Sequence, residues 1–288
     1  MEEFENVYRQ ETTARKYIDG IYHKNRTLWN IEHTAPDFFR NDLALWQESI
    51  YNRLTNLRGE TNSHDVAVIV PAYNEEKYIL QLLESIASQK QLSNMEVIVV
   101  ANNCTDRTAE IACACGATVI EYLYEEDNPN SRYAQISHAR QRGLEKSQAQ
   151  YIVTTDADVI LPPEFLHTFI EPLQKDNNVV AVGCSSEFYD LVQGDTEHQL
   201  RVVDTLGHLL RSRREIIGRT PLTVGWGTAY RRSDALEAGG YQNNRFFSED
   251  IDIGRRLQRF GKLYFNPDTK VWTSSRRVKK AIQAHGIV

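Results

Sequence analysis

No stretch of this 288-residue sequence reaches the roughly 18 to 20 consecutive apolar residues that a helix needs to cross a bilayer. The first ten residues, MEEFENVYRQ, are charged rather than apolar, so the N-terminus is not a secretory signal. Cysteine is scarce. Cys104, Cys113, Cys115 and Cys184 lack the paired spacing of a zinc site and are too few for a disulfide scaffold. That usage fits a reducing, cytoplasmic setting. An excess of positive charge is also missing: 33 Lys and Arg against 39 Asp and Glu leave a net charge of −6, unlike the basic balance of a nucleic-acid-binding domain. Homopolymeric runs are absent, and 41% hydrophobic residues mixed with 25% charged ones argue for a folded chain with a sizeable core. The length admits one large domain or two ordinary ones.

Composition changes near residue 60. Before it, Leu43, Trp46, Ile50, Leu54 and Leu57 recur three or four apart and predict an amphipathic helix over 41–57, with Asp37 as its N-cap. An earlier segment, 3–22, is also helical in tendency. Gly59 and the polar run to Asp65 form a connector to the remainder. From residue 66, apolar runs and helical patterns alternate: VAVIVPAY (strand), 75–89 (helix), MEVIVVANN (strand), 105–116 (helix), ATVIEYL (strand), 137–148 (helix) and QYIVTTDADVI (strand). Strands without polar alternation are those buried on both faces, and this order builds a mostly parallel α/β sheet with crossover helices. The expected division is a helical extension over 1–60 and a catalytic domain over 61–288. Ligand sites in such sheets lie at the carboxyl ends of the strands.

Those ends carry candidates. The first strand closes on Pro71-Ala72-Tyr73-Asn74-Glu75, the second on Ala101-Asn102-Asn103, and the third on Asp156-Ala157-Asp158. Period two along a strand would put Asp156 and Asp158 on one face. Two like charges side by side repel unless a cation or proton sits between them, and oxygen-rich pairs suit Mg²⁺ or Mn²⁺ shared with substrate phosphates. Gly225-Trp226-Gly227 could bring an aromatic face to a sugar ring, or pack the core. Ser248 reads as the N-cap of a helix whose first turn holds Glu249 and Asp250. Those acids favour the helix dipole, and either could equally act as a general base.

Taken together and in order, PAYNEE, a strand before NNCTD, ARQRGL, DAD, GWGTAYRRS, GGY and SEDIDIGRRL resemble a family 2 glycosyltransferase of the GT-A fold, over about 65–275. The resemblance implies a nucleotide-diphosphate sugar as donor and a saccharide or other hydroxyl as acceptor, without nucleic acid. It assigns Pro71, Ala72, Tyr73, Glu75, Asn102, Arg140, Asp156 and Ala157 to the donor, and Trp226 and Gly227 to the acceptor. Mn²⁺ or Mg²⁺ falls to Asp158 with Asp156, and the base of an inverting displacement to Asp250, with Glu249 as its substitute. Three departures stand out. Ala101-Asn102 replaces an Asp-Asp pair that contacts the base. No His follows the last strand, where Thr273-Ser274-Ser275-Arg276-Arg277 stands instead, so phosphate contacts could come from Arg276 and Arg277. The Q-x-x-R-W signature of processive synthases is missing, which favours transfer of a single sugar. A retaining transferase, a nucleotidyltransferase and an inactive sugar-nucleotide-binding scaffold are the rival readings. The N-terminal helices could pack on the catalytic domain, dock a partner or support a homo-oligomer. The chain stops soon after the last motif, at HGIV, which is compatible with a further C-terminal segment.

Overall fold

The run Val66–Ala72 (β1) is the centre from which the fold is built. Its alternate residues Val66, Val68 and Val70 enter one core cluster while Ala67 and Ile69 enter another on the opposite face. Burial on both faces explains why the sequence shows an apolar run rather than alternation. The computed structural model describes residues 16–17, 19–25, 36–59, 64–123, 132–190, 223–243, 248–277 and 279.

Among the described residues eight strands form one sheet: β1, Met95–Asn102 (β2), Thr118–Tyr122 (β3), Tyr151–Thr154 (β4), Val159–Ile160 (β5), Val179–Phe188 (β6), Thr228–Arg231 (β7) and Lys262–Thr273 (β8). Their order is β3-β2-β1-β4-β7-β6-β8-β5. The first four are parallel, β7 runs antiparallel to β4 and β6, and β6 is parallel to β8. Strand order reverses between β1 and β4, which opens the crevice in which open α/β sheets hold ligands.

One face is covered by helices Pro36–Arg58 (α1), Ile79–Ala87 (α2), Thr108–Ala114 (α3) and Phe165–Lys175 (α5), whose buried residues share a cluster with β1 and β2. The other carries Arg132–Lys146 (α4), Arg232–Glu237 (α6) and Glu249–Leu257 (α7). The expected α/β sheet flanked by helices is what the chain forms, with antiparallel pairs at β4–β7, β6–β7 and β5–β8 beside its parallel ones. From α1, Trp46, Ile50 and Leu54 are buried in the same core as β1, the face that the sequence period foresaw.

Several local expectations are corrected. Helix α1 starts at Pro36, so Asp37 lies inside its first turn rather than at the N-cap; proline suits that first position because its missing N–H has no helical partner there. Helix α2 begins at Ile79, not 75, since Glu75 to Tyr78 form a turn closed by Tyr78 N to Glu75 O at 2.8 Å. The strand foreseen over 150–160 is two short strands split by a turn at Asp156–Val159, closed by Val159 N to Asp156 O at 3.3 Å. Period two therefore never applies to Asp156 and Asp158. Of the early helix, residues 3–15 lie outside the described residues, as do 191–222, which hold most of the loop after β6.

Candidate active site

The loops after β1 and β2 are tied to each other before any ligand arrives. Asn74 and Asn103 adopt left-handed backbones (φ 54° and 52°), which asparagine tolerates better than other side chains. Asn74 Oδ1 accepts from Thr105 N at 2.8 Å, and Glu75 N donates to Thr108 Oγ1 at 2.8 Å. Asp106 accepts from Thr108 N at 3.0 Å through one oxygen and from Glu76 N at 3.1 Å through the other. Asp106 and Thr108 thus join the two strand ends into one rigid rim. Neither residue was among the site candidates from sequence.

Beside this rim opens a cleft of about 570 Å³. It is lined by Pro71, Ala72, Tyr73, Asn74, Glu75, Asn102, Gln135, Ile136, Ala139, Asp156, Arg276 and Arg277. Six residues assigned to the donor from sequence (Pro71, Ala72, Tyr73, Glu75, Asn102 and Asp156) share this one wall. Asn74, Gln135, Ile136 and Ala139 were missed; the last three lie on a helix that starts at Arg132, five residues before the sequence pattern does. Tyr73 is 59% exposed at the mouth. Asn102 is buried and its amide nitrogen donates to Gln135 O at 3.4 Å, while its Oδ1 has no hydrogen-bond partner among the described residues. Glu75 Oε2 is likewise buried without a partner among those residues. Burial pushes the Glu75 carboxyl up to about 7, against a hydrogen bond from Arg276 that pulls it down. Ala157, between the two aspartates, is buried in the core rather than in the cleft lining.

At one end of the cleft three chain segments meet because β4 pairs with β7 in the register Thr154↔Thr228. That pairing lays the turn after β4 against Gly225-Trp226-Gly227, with Thr155 Oγ1 donating to Trp226 O at 3.0 Å. Arg140, 1% exposed on α4, crosses from the other side. It donates to Glu249 Oε1 at 2.6 Å, Asp156 Oδ1 at 2.9 Å and Gly225 O at 3.0 Å. Burial opposes its charge, but Glu249 and Asp156 outweigh that and hold the guanidinium pKa above its usual value. Arg140 is not among the cleft-lining residues, so its charge positions the acids around it. Glu249 is buried in that pair, and burial raises its pKa. Asp250, the next residue on α7, keeps Oδ1 on Ile251 N at 2.7 Å. A Cβ at Gly225 would lie 3.5 Å from both Asp156 Oδ2 and Asp250 Oδ2, which places the two carboxylates on either side of one position, and 3.0 Å from Arg140 Nη2.

The remaining candidates are placed differently from their sequence reading. Trp226 is half-buried and packs against the main core. Gly227 is buried, and a Cβ there would stand 2.5 Å from Cys184 Sγ, so its missing side chain serves packing. Ser248 does occupy the N-cap of α7, but with no side-chain capping bond.

Asp156 and Asp158 meet different arginines, Arg140 and Arg276. Asp156 borders the cleft, whereas Asp158 is 3% exposed and turned to Arg276, whose Nε and Nη2 reach Oδ2 at 3.1 and 2.9 Å. Thr273 Oγ1 stands 3.4 Å from the other oxygen. Burial raises the Asp158 pKa and Arg276 counters it. Among the described residues no three His, Cys, Asp or Glu side chains gather as a metal-binding group. A divalent ion on Asp158 would have to displace the guanidinium already there. Among the same residues no helix is long and apolar enough to cross a membrane.

Comparison with known proteins bears on the family and the fold. A family model described as glycosyl transferase family 2 matches residues 67–238, more than half of the chain. The 4,4'-diaponeurosporenoate glycosyltransferase of Staphylococcus haemolyticus (strain JCSC1435) is 31% identical over 211 residues, covering 70% of this chain and 53% of that protein. The protein of the same name from Staphylococcus aureus (strain bovine RF122 / ET3-1) is 35% identical over 129 residues, covering 43% of this chain and 33% of its own length. The chain thus spans between a third and about half of these relatives. Among solved structures, mannosyltransferase PcManGT from Pyrobaculum calidifontis, in complex with GDP-Man and Mn²⁺, aligns over 92% of this chain and 72% of its own at 19% identity and a TM-score of 0.56. S. aureus TarS 1-349 in complex with UDP-GlcNAc aligns over 73% of this chain and 58% of its own, at 19% identity and a TM-score of 0.51. At these identities the likeness establishes the fold, which is GT-A.

Proposed function

The chain belongs to glycosyl transferase family 2, and from that membership we propose that it moves a single sugar from a nucleotide-diphosphate sugar to an acceptor hydroxyl, with inversion. The observation that carries this reading is the convergence of Asp156, on the cleft, and Asp250, beyond it, on the same side-chain-free position at Gly225. The donor class agrees with the solved neighbours, which hold GDP-Man and UDP-GlcNAc.

In the proposed arrangement the nucleotide lies along the rim, with Tyr73 at the mouth and the partnerless oxygens of Asn102 and Glu75 accepting from it. Such buried acceptors are costly unless a ligand supplies the missing donor. The sugar lies toward Gly225, with Asp156 beside it. Asp250 takes the proton from the acceptor hydroxyl as that oxygen attacks the anomeric carbon from the face opposite the diphosphate. One displacement of this kind inverts the configuration. Arg140 and Glu249 hold Asp156 and the start of α7 in place, since positioning within a fraction of an ångström decides such a step. PcManGT was solved with Mn²⁺; with Asp158 committed to Arg276, no step here is routed through a metal.

The reading is tested by offering a panel of UDP- and GDP-sugars and following the anomeric configuration of the sugar released, by NMR before mutarotation. Release of the inverted anomer supports it. Release of the retained anomer would transfer the same residues to a retaining mechanism, and no release from any donor would favour the scaffold reading.

A further inference from the structure

Arg276 is held as a resident cation is held. Its guanidinium contacts Asp158 through Nε and Nη2 at 3.1 and 2.9 Å, and Nη2 also donates to Glu75 Oε1. Both acids are buried, 3% and 6% exposed. The guanidinium lies 4.2 Å from the centre of the Tyr78 ring. Three elements that carry the cleft thus converge on one side chain: the loop after β1, the turn after β4 and the segment after β8. The last of these is itself anchored, with Ser274 Oγ and Ser275 N donating to Asp190 at 2.7 Å each. Nη1 of Arg276 has no hydrogen-bond partner among the described residues, and both Arg276 and Arg277 line the cleft. Arg277 Nη1 comes within 4.0 Å of Asp156 Oδ2.

Two buried carboxylates brought this close need a cation between them. A divalent ion is one answer in a site that also meets phosphates. A guanidinium is another: it stays charged at every working pH, and its planar fork matches phosphate oxygens. Resting on the glycosyl-transfer reading above, we propose that Arg276, seconded by Arg277, is the built-in cation that binds the donor's diphosphate, so that donor binding does not require a divalent metal. As the bond from the anomeric carbon to the β-phosphate oxygen breaks, its electron pair stays on that oxygen, beside the arginine charge. The proton of the attacking hydroxyl goes to Asp250, and no other reactant is consumed. Asp158 and Glu75 orient the fork; they are not ligands of a metal in this account.

Calorimetric titration of the whole chain with UDP and with GDP, each in EDTA and in MnCl₂, tests the proposal. The expected result is the same Kd in both media for whichever nucleotide binds. Arg276→Gln should weaken that binding about tenfold or more, with Arg276→Lys in between, while the free nucleoside binds each variant alike. Should Arg276→Gln fail to fold with Asp158 and Glu75 left unpaired, Arg276→Lys and Arg277→Ala carry the comparison. Binding only in MnCl₂, or variants that bind as tightly as the parent, would overturn the proposal and leave glycosyl transfer standing. Failure of both nucleotides to bind in either medium would overturn the underlying reading and this proposal with it.

Discussion

Asp156 and Asp250 reach toward one another across Gly225: a methyl group placed on that glycine would touch Oδ2 of each at 3.5 Å and Arg140 Nη2 at 3.0 Å. The two acids belong to different elements, one in the turn after β4 and the other in the first turn of α7. Antiparallel pairing of β4 with β7 brings Gly225 between them, and Arg140 fixes the spacing by holding Asp156 directly and Asp250 through its neighbour Glu249. The site is thus a consequence of sheet register and one buried charge.

Arg140 should be the most costly single side chain in this region to remove. Arg140→Met keeps much of the volume but leaves Glu249 and Asp156 without their counter-charge in a poorly hydrated place. Breaking one partner of a buried ion pair costs about 3–5 kcal/mol. Urea unfolding should show that loss as a lower midpoint with an unchanged slope. A loss below about 1 kcal/mol, the scale of surface ion pairs, would contradict the clamp.

Glu75 gives the fold a pH dependence of definite sign. Burial lifts its carboxyl from an ordinary value near 4.5 to about 7 in the folded chain. The folded state therefore binds protons more tightly than the unfolded one, and this contribution is fully present below the unfolded value. It is lost as pH rises through about 7, on the order of 3 kcal/mol in all. Glu75→Gln imitates the protonated form, so its stability relative to the parent should rise between about pH 5 and about pH 8. Parallel unfolding curves across that range would contradict the assignment.

Gly143, in α4, is predicted to resist the usual helix-stabilising change. An alanine at an exposed helix interior gains about 1 kcal/mol over glycine. Here a Cβ would lie 2.3 Å from Ile69 Cγ2, in the centre of β1, and overpacking of that kind costs typically about 1–3 kcal/mol. Gly143→Ala should therefore lower Tm, and adding Ile69→Ala, which removes the clashing carbon, should show favourable coupling in a double-mutant cycle. Additive losses would mean that α4 and β1 do not meet as described.

Much of this was legible in the residues because it is local. The apolar runs of β1 and β2 announce burial on both faces, and the spacing of Trp46, Ile50 and Leu54 announces the buried side of α1. The loop residues Pro71 to Glu75 and Asn102 fell on one cleft because strand ends in a parallel sheet share an edge. What stayed hidden depends on long-range pairing. Asp156 and Asp158 look like strand neighbours, yet the strand ends at Thr154 and a turn sends one to the cleft and the other to Arg276. Gly227 looked like an acceptor contact until Cys184 of β6 proved to fill the space beside it. No spacing in the sequence connects Glu75 with Arg276; only the folded sheet brings the loop after β1 to the segment after β8.

The central claim is that Asp250 is the base of a sugar transfer whose donor binds in the cleft lined by Tyr73, Asn102 and Arg276. It is tested most directly by comparing the parent chain with Asp250→Asn, using the sugar nucleotide that the parent turns over. The measurement is turnover of that donor alongside its Kd. The account predicts a fall in kcat of about a hundredfold or more, with donor Kd essentially unchanged. An Asp250→Asn variant that turns over as fast as the parent, or one that loses activity only because it no longer binds the donor, would contradict it.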